Sequence, residues 1–247
     1  MYKINDFSGK AEIYSKNRPS YPDELFHFLS HHIIEGSLVA DIGAGTGIFS
    51  KLLLENGYSV IAVEPNEEMG KIAIEILDPF PLFQFVFGTA ENTGIKEHSI
   101  DLVTAAQAFH WFDSKAFKKE CQRVLKKGGK VALIWNKRDE SNPFIQAYEE
   151  INKKLCSSFK GFSSGIKTKE IQCFFKDENC EIFTFSNINK IDEKGFIGRA
   201  LSSSYAPQKE DDNYNIYQSK LRELFKKFEK DGFVEFPIIT ALYFGEV

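Results

Sequence analysis

The residues best suited to chemistry stand where short apolar runs end. Asp41 closes the run Leu38-Val39-Ala40 and is followed by Gly43, Gly45 and Gly47. Glycines so spaced let the backbone take positive φ and approach a ligand that a Cβ would push away. Glu64 follows the apolar run Ser59–Val63, about 20 residues beyond that turn, where a carboxylate can accept both hydroxyls of a ribose. Glu91 lies in Gly88-Thr89-Ala90-Glu91, and Gln107 heads Gln107-Ala108-Phe109-His110-Trp111-Phe112. Trp135-Asn136 end the next run. These stretches supply glycine backbone, carboxylates, one histidine and several aromatics, but no Lys or Arg. Phosphates are normally met by cations as well as by helix N-termini, so the set disfavours NAD, FAD and nucleoside triphosphates. Ile48 stands where GxGxxG would have its last glycine, and the Lys of a P-loop is absent. What remains is a site for an adenosine-containing cofactor.

The spacing also predicts the elements that position these groups. Strands are expected over 38–40, 59–63, 83–87, 100–105 and 130–135, because each is a short apolar run bounded by turn residues. Helices should follow the glycine turn to Gly57, run over Glu67–Leu77, and run from an Asp113 cap to Lys126, closed by Gly128-Gly129. Pro22-Asp23 starts an earlier helix with Leu25, Phe26, Leu29 and Ile33 on one face. After residue 136 the alternation stops: helices are expected over 143–159, 167–176, 191–201 and 215–230, with strands over 181–188 and 238–244. This pattern predicts an α/β fold, one mainly parallel sheet with helical insertions near its carboxyl edge. It divides into an N-terminal helical lid over 1–37, a cofactor-binding core over 38–136, and a C-terminal helical insertion with the last two strands over 137–247.

The 247 residues are 43% hydrophobic and 27% charged, which fits a globular chain, and a net charge of −4 argues against a duplex-binding face. Four cysteines without CxxC spacing read as structural thiols in a reducing, cytoplasmic setting, with no metal site. His31-His32 with Glu35 lacks the HExxH order of a zinc helix. No apolar h-region and no apolar run of 18 residues is present, so neither secretion nor membrane spanning is expected.

VADIGAGTG, VEPN, GTAEN, IDLVTAAQAFHWFD and GGKVALIWN, in that order over residues 38 to 136, resemble the motifs of class I S-adenosylmethionine-dependent methyltransferases. YSKNRPSYP near the start and SSSYAP at 202–207 are similar to the small-molecule group that includes trans-aconitate methyltransferases. The resemblance implies a Rossmann-like, seven-stranded sheet, mostly parallel with an antiparallel last strand. It further implies that Gly43, Ala44, Gly45 and Gly47 line the methionine part of S-adenosylmethionine, or of its product S-adenosylhomocysteine, and that Asp41 draws the ammonium group. Glu64 would hold the ribose; Asn66, Met69, Ala90 and Glu91 would lie near the adenine; Gln107 would close over the sulfonium. Tyr14 and Arg18 would come from the lid, Arg18 towards the cofactor carboxylate.

Methyl transfer from a sulfonium cancels charge, so a water-poor aromatic wall helps. Phe109, Phe112 and the candidate substrate residues Trp111 and Trp135 suit it. His110 is the catalytic candidate, a nearby group able to take a proton near neutral pH, whereas a carboxylate acceptor needs no base. Arg199 and Tyr205, in the insertion, are candidates for substrate selection. The expected partner is a small-molecule methyl acceptor, a carboxylate among those that fit, taken by a monomer or homodimer without nucleic acid or membrane. The competing readings are a nucleic-acid or protein methyltransferase, a nicotinamide-dependent reductase and a non-catalytic scaffold. A reductase would need a second nucleotide-binding half, which the residues after Asn136 do not provide.

Overall fold

The computed structural model describes residues 20–162 and 168–247. Tyr14 and Arg18 lie outside the described residues. One seven-stranded sheet runs through the molecule in the order β3-β2-β1-β4-β5-β7-β6, with β1 at Leu38–Ile42, β2 at Ser59–Val63, β3 at Phe83–Val86, β4 at Ile100–Ala106, β5 at Leu125–Arg138, β6 at Glu181–Ile191 and β7 at Val234–Gly245. The first five strands pair in parallel, and β7 is antiparallel to both β5 and β6. It is the Rossmann-like arrangement with an antiparallel last strand that the motifs imply. Central parallel strands are buried on both faces, which is why their segments read as continuous apolar runs.

Side chains alternate between two cores. On one face Val39, Leu102, Ala132, Ile134 and Leu242 meet helix α1 (Asp23–Ser30) and helix α2 (Ile48–Glu55). On the other, Ala40, Val103, Leu133 and Trp135 meet helix α4 (Ser114–Val124) and helix α6 (Thr168–Phe174). Helix α3 (Glu67–Leu77) lies between β2 and β3 in the chain. A third core joins α5 (Pro143–Leu155), α7 (Glu193–Leu201), α8 (Tyr214–Phe228) and the first part of β7.

Several boundaries differ from the sequence expectation, each for a reason of pairing. Leu25, Phe26 and Leu29 of α1 are buried, with the Phe26 ring tilted against Phe49 at 5.7 Å and Phe28 against Phe183 and Phe244. The described part of the expected N-terminal lid is therefore a layer of the core. Helix α4 stops at Val124 because Leu125 already pairs with Ile100; residues 126–129 then bulge before Lys130 pairs with Leu102. Gly128-Gly129 thus serves a bulge, with Gly128 at φ +80°, not a helix cap. Strand β7 starts ahead of Pro237. The Pro237 carbonyl accepts from the Asp139 N–H just past the end of β5, so its missing N–H faces the side where no strand continues. Strand β6 runs on to Ile191, and the Asp192 side chain caps α7 by accepting from the Gly195 N–H.

Candidate active site

Strand β1 delivers the glycine turn to the carboxyl edge of the sheet, where open α/β folds bind ligands. The N–H groups of Gly43 and Ala44 both donate to the Val63 carbonyl, at 2.9 and 3.1 Å, tying the turn to the end of β2. Gly43 (φ +70°) leaves no room for a Cβ, which would stand 2.6 Å from the Ala108 Cβ; at Gly47 (φ +81°) it would meet Leu77 at 2.7 Å.

Two buried carboxylates brace this turn. Asp41 is 1% exposed; the Ser50 hydroxyl of α2 donates to it at 2.6 Å and the Thr104 hydroxyl of β4 at 2.9 Å. Burial pushes its pKa up to about 6, opposed by those hydroxyls. Glu64 accepts from the Gly45 N–H through one oxygen and from the Asn66 N–H through the other, both at 2.9 Å. Burial raises its pKa as well, partly offset by the two N–H groups. A carboxylate has about four lone-pair positions, so each oxygen keeps capacity for a further donor.

Asn66 caps α3, accepting from the Met69 N–H at 3.0 Å, and the Met69 sulfur lies 3.8 Å from where a Cβ on Gly45 would stand. Beside them a pocket is lined by Gly43, Pro65, Thr89, Ala90, Glu91 and Phe112, with no cation among them. Glu91 is also a bracket, since its carboxylate accepts from the Asp113 N–H at 3.0 Å where α4 begins. These positions bring Asp41, the turn glycines, Glu64, Asn66, Met69, Ala90 and Glu91 into one corner. A glycine cradle, a buried carboxylate with spare acceptor capacity and a cation-free pocket fit an adenosyl group carrying no phosphate.

The loop after β4 forms the next wall. Gln107 adopts φ +58°, a conformation uncommon for a residue with a side chain. Its N–H donates to the Ile134 carbonyl at 2.8 Å, and its side-chain amide donates to the Asn136 carbonyl at 3.1 Å. Such bonds on two sides hold a strained backbone in place. His110 and Trp111 follow in a short 3-10 turn (Phe109–Trp111), exposed and with rings 4.9 Å apart, while Phe109 is buried. Trp135 requires a correction. It is 2% exposed, packed between Phe109 and Tyr243 in the core, so it supports the wall from behind and does not line an open pocket.

Arg199 and Tyr205 belong to the third core, with the Arg199 guanidinium 4.9 Å from the Phe236 ring and the Tyr205 ring 4.8 Å from Phe159. The sequence reading missed Ser50 and Thr104, the partners of Asp41, because nothing local marks a hydroxyl that meets a carboxylate 9 or 63 residues away. It also passed over Arg138, the last residue of β5. Among the described residues no group of three or more His, Cys, Asp and Glu could hold a metal ion. None of the described helices is long and apolar enough to cross a membrane.

Residues 40–133 match the family model described as a methyltransferase domain. An uncharacterised methyltransferase of Mycobacterium bovis is 37% identical over 145 residues, 59% of this chain and 58% of that protein, so this match leaves much of the relative's length unspanned. A methyltransferase-like protein of Schizosaccharomyces pombe is 31% identical over 252 residues, covering 98% of this chain and 96% of that one. The solved structure of a putative type II methyltransferase from Anaeromyxobacter dehalogenans shares the fold at 21% identity, with a TM-score of 0.71 over 93% of this chain and 97% of that one. With the motifs, the strand order and a relative matched nearly end to end, the chain belongs to the class I S-adenosylmethionine-dependent methyltransferases.

Proposed function

We propose that the protein methylates a small-molecule acceptor, with a carboxylate among the acceptors that fit. The observation that carries the reading is Glu64, whose carboxylate is pinned by two backbone N–H groups beside a pocket without cations. Bound S-adenosylmethionine supplies an electrophilic methyl on a sulfonium. Glu64 takes the ribose hydroxyls on its remaining lone pairs, the glycine turn lies along the methionine portion, and Thr89, Ala90 and Glu91 flank the base. Asp41 is occupied by Ser50 and Thr104, so its main part is to hold the turn in shape. Phe109 and Phe112 keep water from the reacting end, where charge is lost and a low-polarity wall is favourable. His110 accepts the proton when the acceptor is neutral, and is dispensable when the acceptor is already anionic. The net charge of −4 suits a dissolved small molecule better than a nucleic acid, and four unbridged cysteines suit the cytoplasm.

Titration calorimetry against S-adenosylhomocysteine and NADH tests the cofactor half. Glu64→Ala should weaken S-adenosylhomocysteine binding roughly tenfold to a hundredfold, the worth of one or two charge-assisted hydrogen bonds. Tight NADH binding, or a folded Glu64→Ala variant with unchanged affinity, would sink it. Mass analysis of products from a panel of carboxylic acids, phenols and amines incubated with the methyl donor then identifies the acceptor class.

A further inference from the structure

Beyond the cofactor corner, a second polar cluster lies by the end of β5 and the start of β7, and three of its polar atoms lack partners among the described residues. Arg138 projects its guanidinium among aromatic rings, 4.1 Å from the centroid of Phe162 and 5.9 Å from those of Tyr148 and Phe236. It forms no ion pair among the described residues, and its Nε is buried without an acceptor. Tyr148 is 1% exposed, yet among the described residues its hydroxyl has no hydrogen-bond partner of good geometry, and neither does the buried hydroxyl of Tyr205. Burial, and after it the nearby Tyr205 hydroxyl, disfavour ionisation of Tyr148; the Tyr217 hydroxyl, which donates to Asn152, lies beside it as well. Phe159, stacked edge-on to both Phe162 and Tyr205, and Phe236, facing Arg199 as well as Arg138, join the cluster into one apolar-walled unit.

Buried donors without acceptors are rare in folded proteins, and the half-buried Arg138 is held against aromatic faces with no counter-charge among the described residues. Three such groups around one set of aromatic rings need an explanation. Aromatic faces attract a cation, but they do not accept the in-plane N–H bonds of its fork. What satisfies all three is an acceptor-rich, planar anion. The position supports the same conclusion: Arg138 follows Asn136 by two residues on β5, and the Asn136 carbonyl holds the side chain of Gln107. The cluster is thus continuous with the wall of the cofactor corner, on the side of the sheet edge away from Glu64.

The geometry points to a carboxylate-binding subsite, with Arg138 as its charge and the Tyr148 and Tyr205 hydroxyls as its donors, which takes an acidic group of the methyl acceptor. The inference rests on the methyl-transfer reading for its purpose only. The binding of an anion there needs no cofactor. A small organic carboxylate matches the planar fork of arginine, and the aromatic walls suit a ligand with a flat or apolar body.

Calorimetry and thermal melts of the full chain, with and without S-adenosylhomocysteine, test this with succinate, citrate and benzoate as probes and benzamide as the neutral control. At least one carboxylate should bind and raise Tm, and benzamide should not. Arg138→Gln should weaken that binding roughly tenfold or more, and Tyr148→Phe about fivefold, with S-adenosylhomocysteine affinity unchanged. The ligand-free Tm of Arg138→Gln should stay level or rise, because an uncompensated cation is removed; a purely structural arginine would give a fall. Absence of carboxylate binding overturns the proposal, as does equal binding by both variants, or displacement of the carboxylate by inorganic phosphate at equal concentration. Failure of S-adenosylhomocysteine to bind would instead count against the methyltransferase reading, with the carboxylate titration still interpretable.

Discussion

The two halves of the sheet's carboxyl edge treat their polar groups in opposite ways. Around the glycine turn every named carboxylate is engaged: Asp41 by two hydroxyls, Glu64 by two N–H groups and Glu91 by another. By β5 and β7, the Nε of Arg138 and the hydroxyls of Tyr148 and Tyr205 are buried and unmatched among the described residues. The first half is finished before any ligand arrives, as a preorganised cofactor corner should be. The second is left incomplete in the polypeptide, at a cost in stability that ligand binding can offset. On the reading proposed above, the contrast separates a cofactor device from a substrate-selecting one.

The comparison can be broken most severely at the turn. Gly43→Val would force a side chain into φ +70° and against Ala108, combining left-handed strain with overpacking. Together these cost about 4 kcal/mol. Chemical denaturation should show that loss, and S-adenosylhomocysteine binding should disappear from calorimetry even where the variant folds. A variant of wild-type stability and affinity would mean that the turn is looser than its contacts indicate.

The next effect is on pH. Burial raises Asp41 from its ordinary value of 3.8 to about 6 in the folded state, so between those values the folded state binds more protons than the unfolded one. Its contribution therefore makes stability fall as pH rises from about 3.8 to 6 and then level off, by about 3 kcal/mol in all. Glu64, also raised by burial, acts in the same direction. Glu120 opposes them. Burial would raise it, but Arg123 and Thr93 more than offset this and hold it at about 2, so its stabilisation is lost as pH falls below about 4.5. Unfolding measured from pH 7 to pH 4 should show the wild type gaining on Asp41→Asn as pH falls. A constant difference between them would contradict the buried-carboxylate account.

The smallest test sharpens the contrast directly. Ser50→Ala removes a donor from a buried carboxylate and should cost about 2 kcal/mol, whereas Tyr148→Phe removes a hydroxyl unmatched among the described residues and should be near neutral without ligand. Equal losses in the two melts would erase the difference between the halves.

Much of the cofactor corner was legible because its signals are local. A strand, a glycine turn and a helix occupy consecutive residues, and Glu64 recurs at the distance one βα unit sets, so the meeting of the turn with Glu64 at the sheet's carboxyl edge follows from spacing; that they hold a cofactor is the proposal. The antiparallel last strand came from resemblance, not from periodicity. The finer likeness to small-acid methyltransferases rested partly on a stretch before residue 20, outside the described residues.

By itself the amino-acid sequence determined the α/β alternation, the carboxyl-edge location of the candidate site and the family, since all three depend on patterns read within tens of residues. Only the tertiary structure decided that Trp135 turns into the core, that Asp41 is answered by Ser50 and Thr104, and that the helix of residues 23–30 is a core layer. It alone brought Arg138 to Tyr148 and Tyr205, from a strand end, a helix and a loop. Which face a residue presents, and which distant group satisfies it, depend on strand register and on packing across the sheet, and neither is encoded in spacing along the chain.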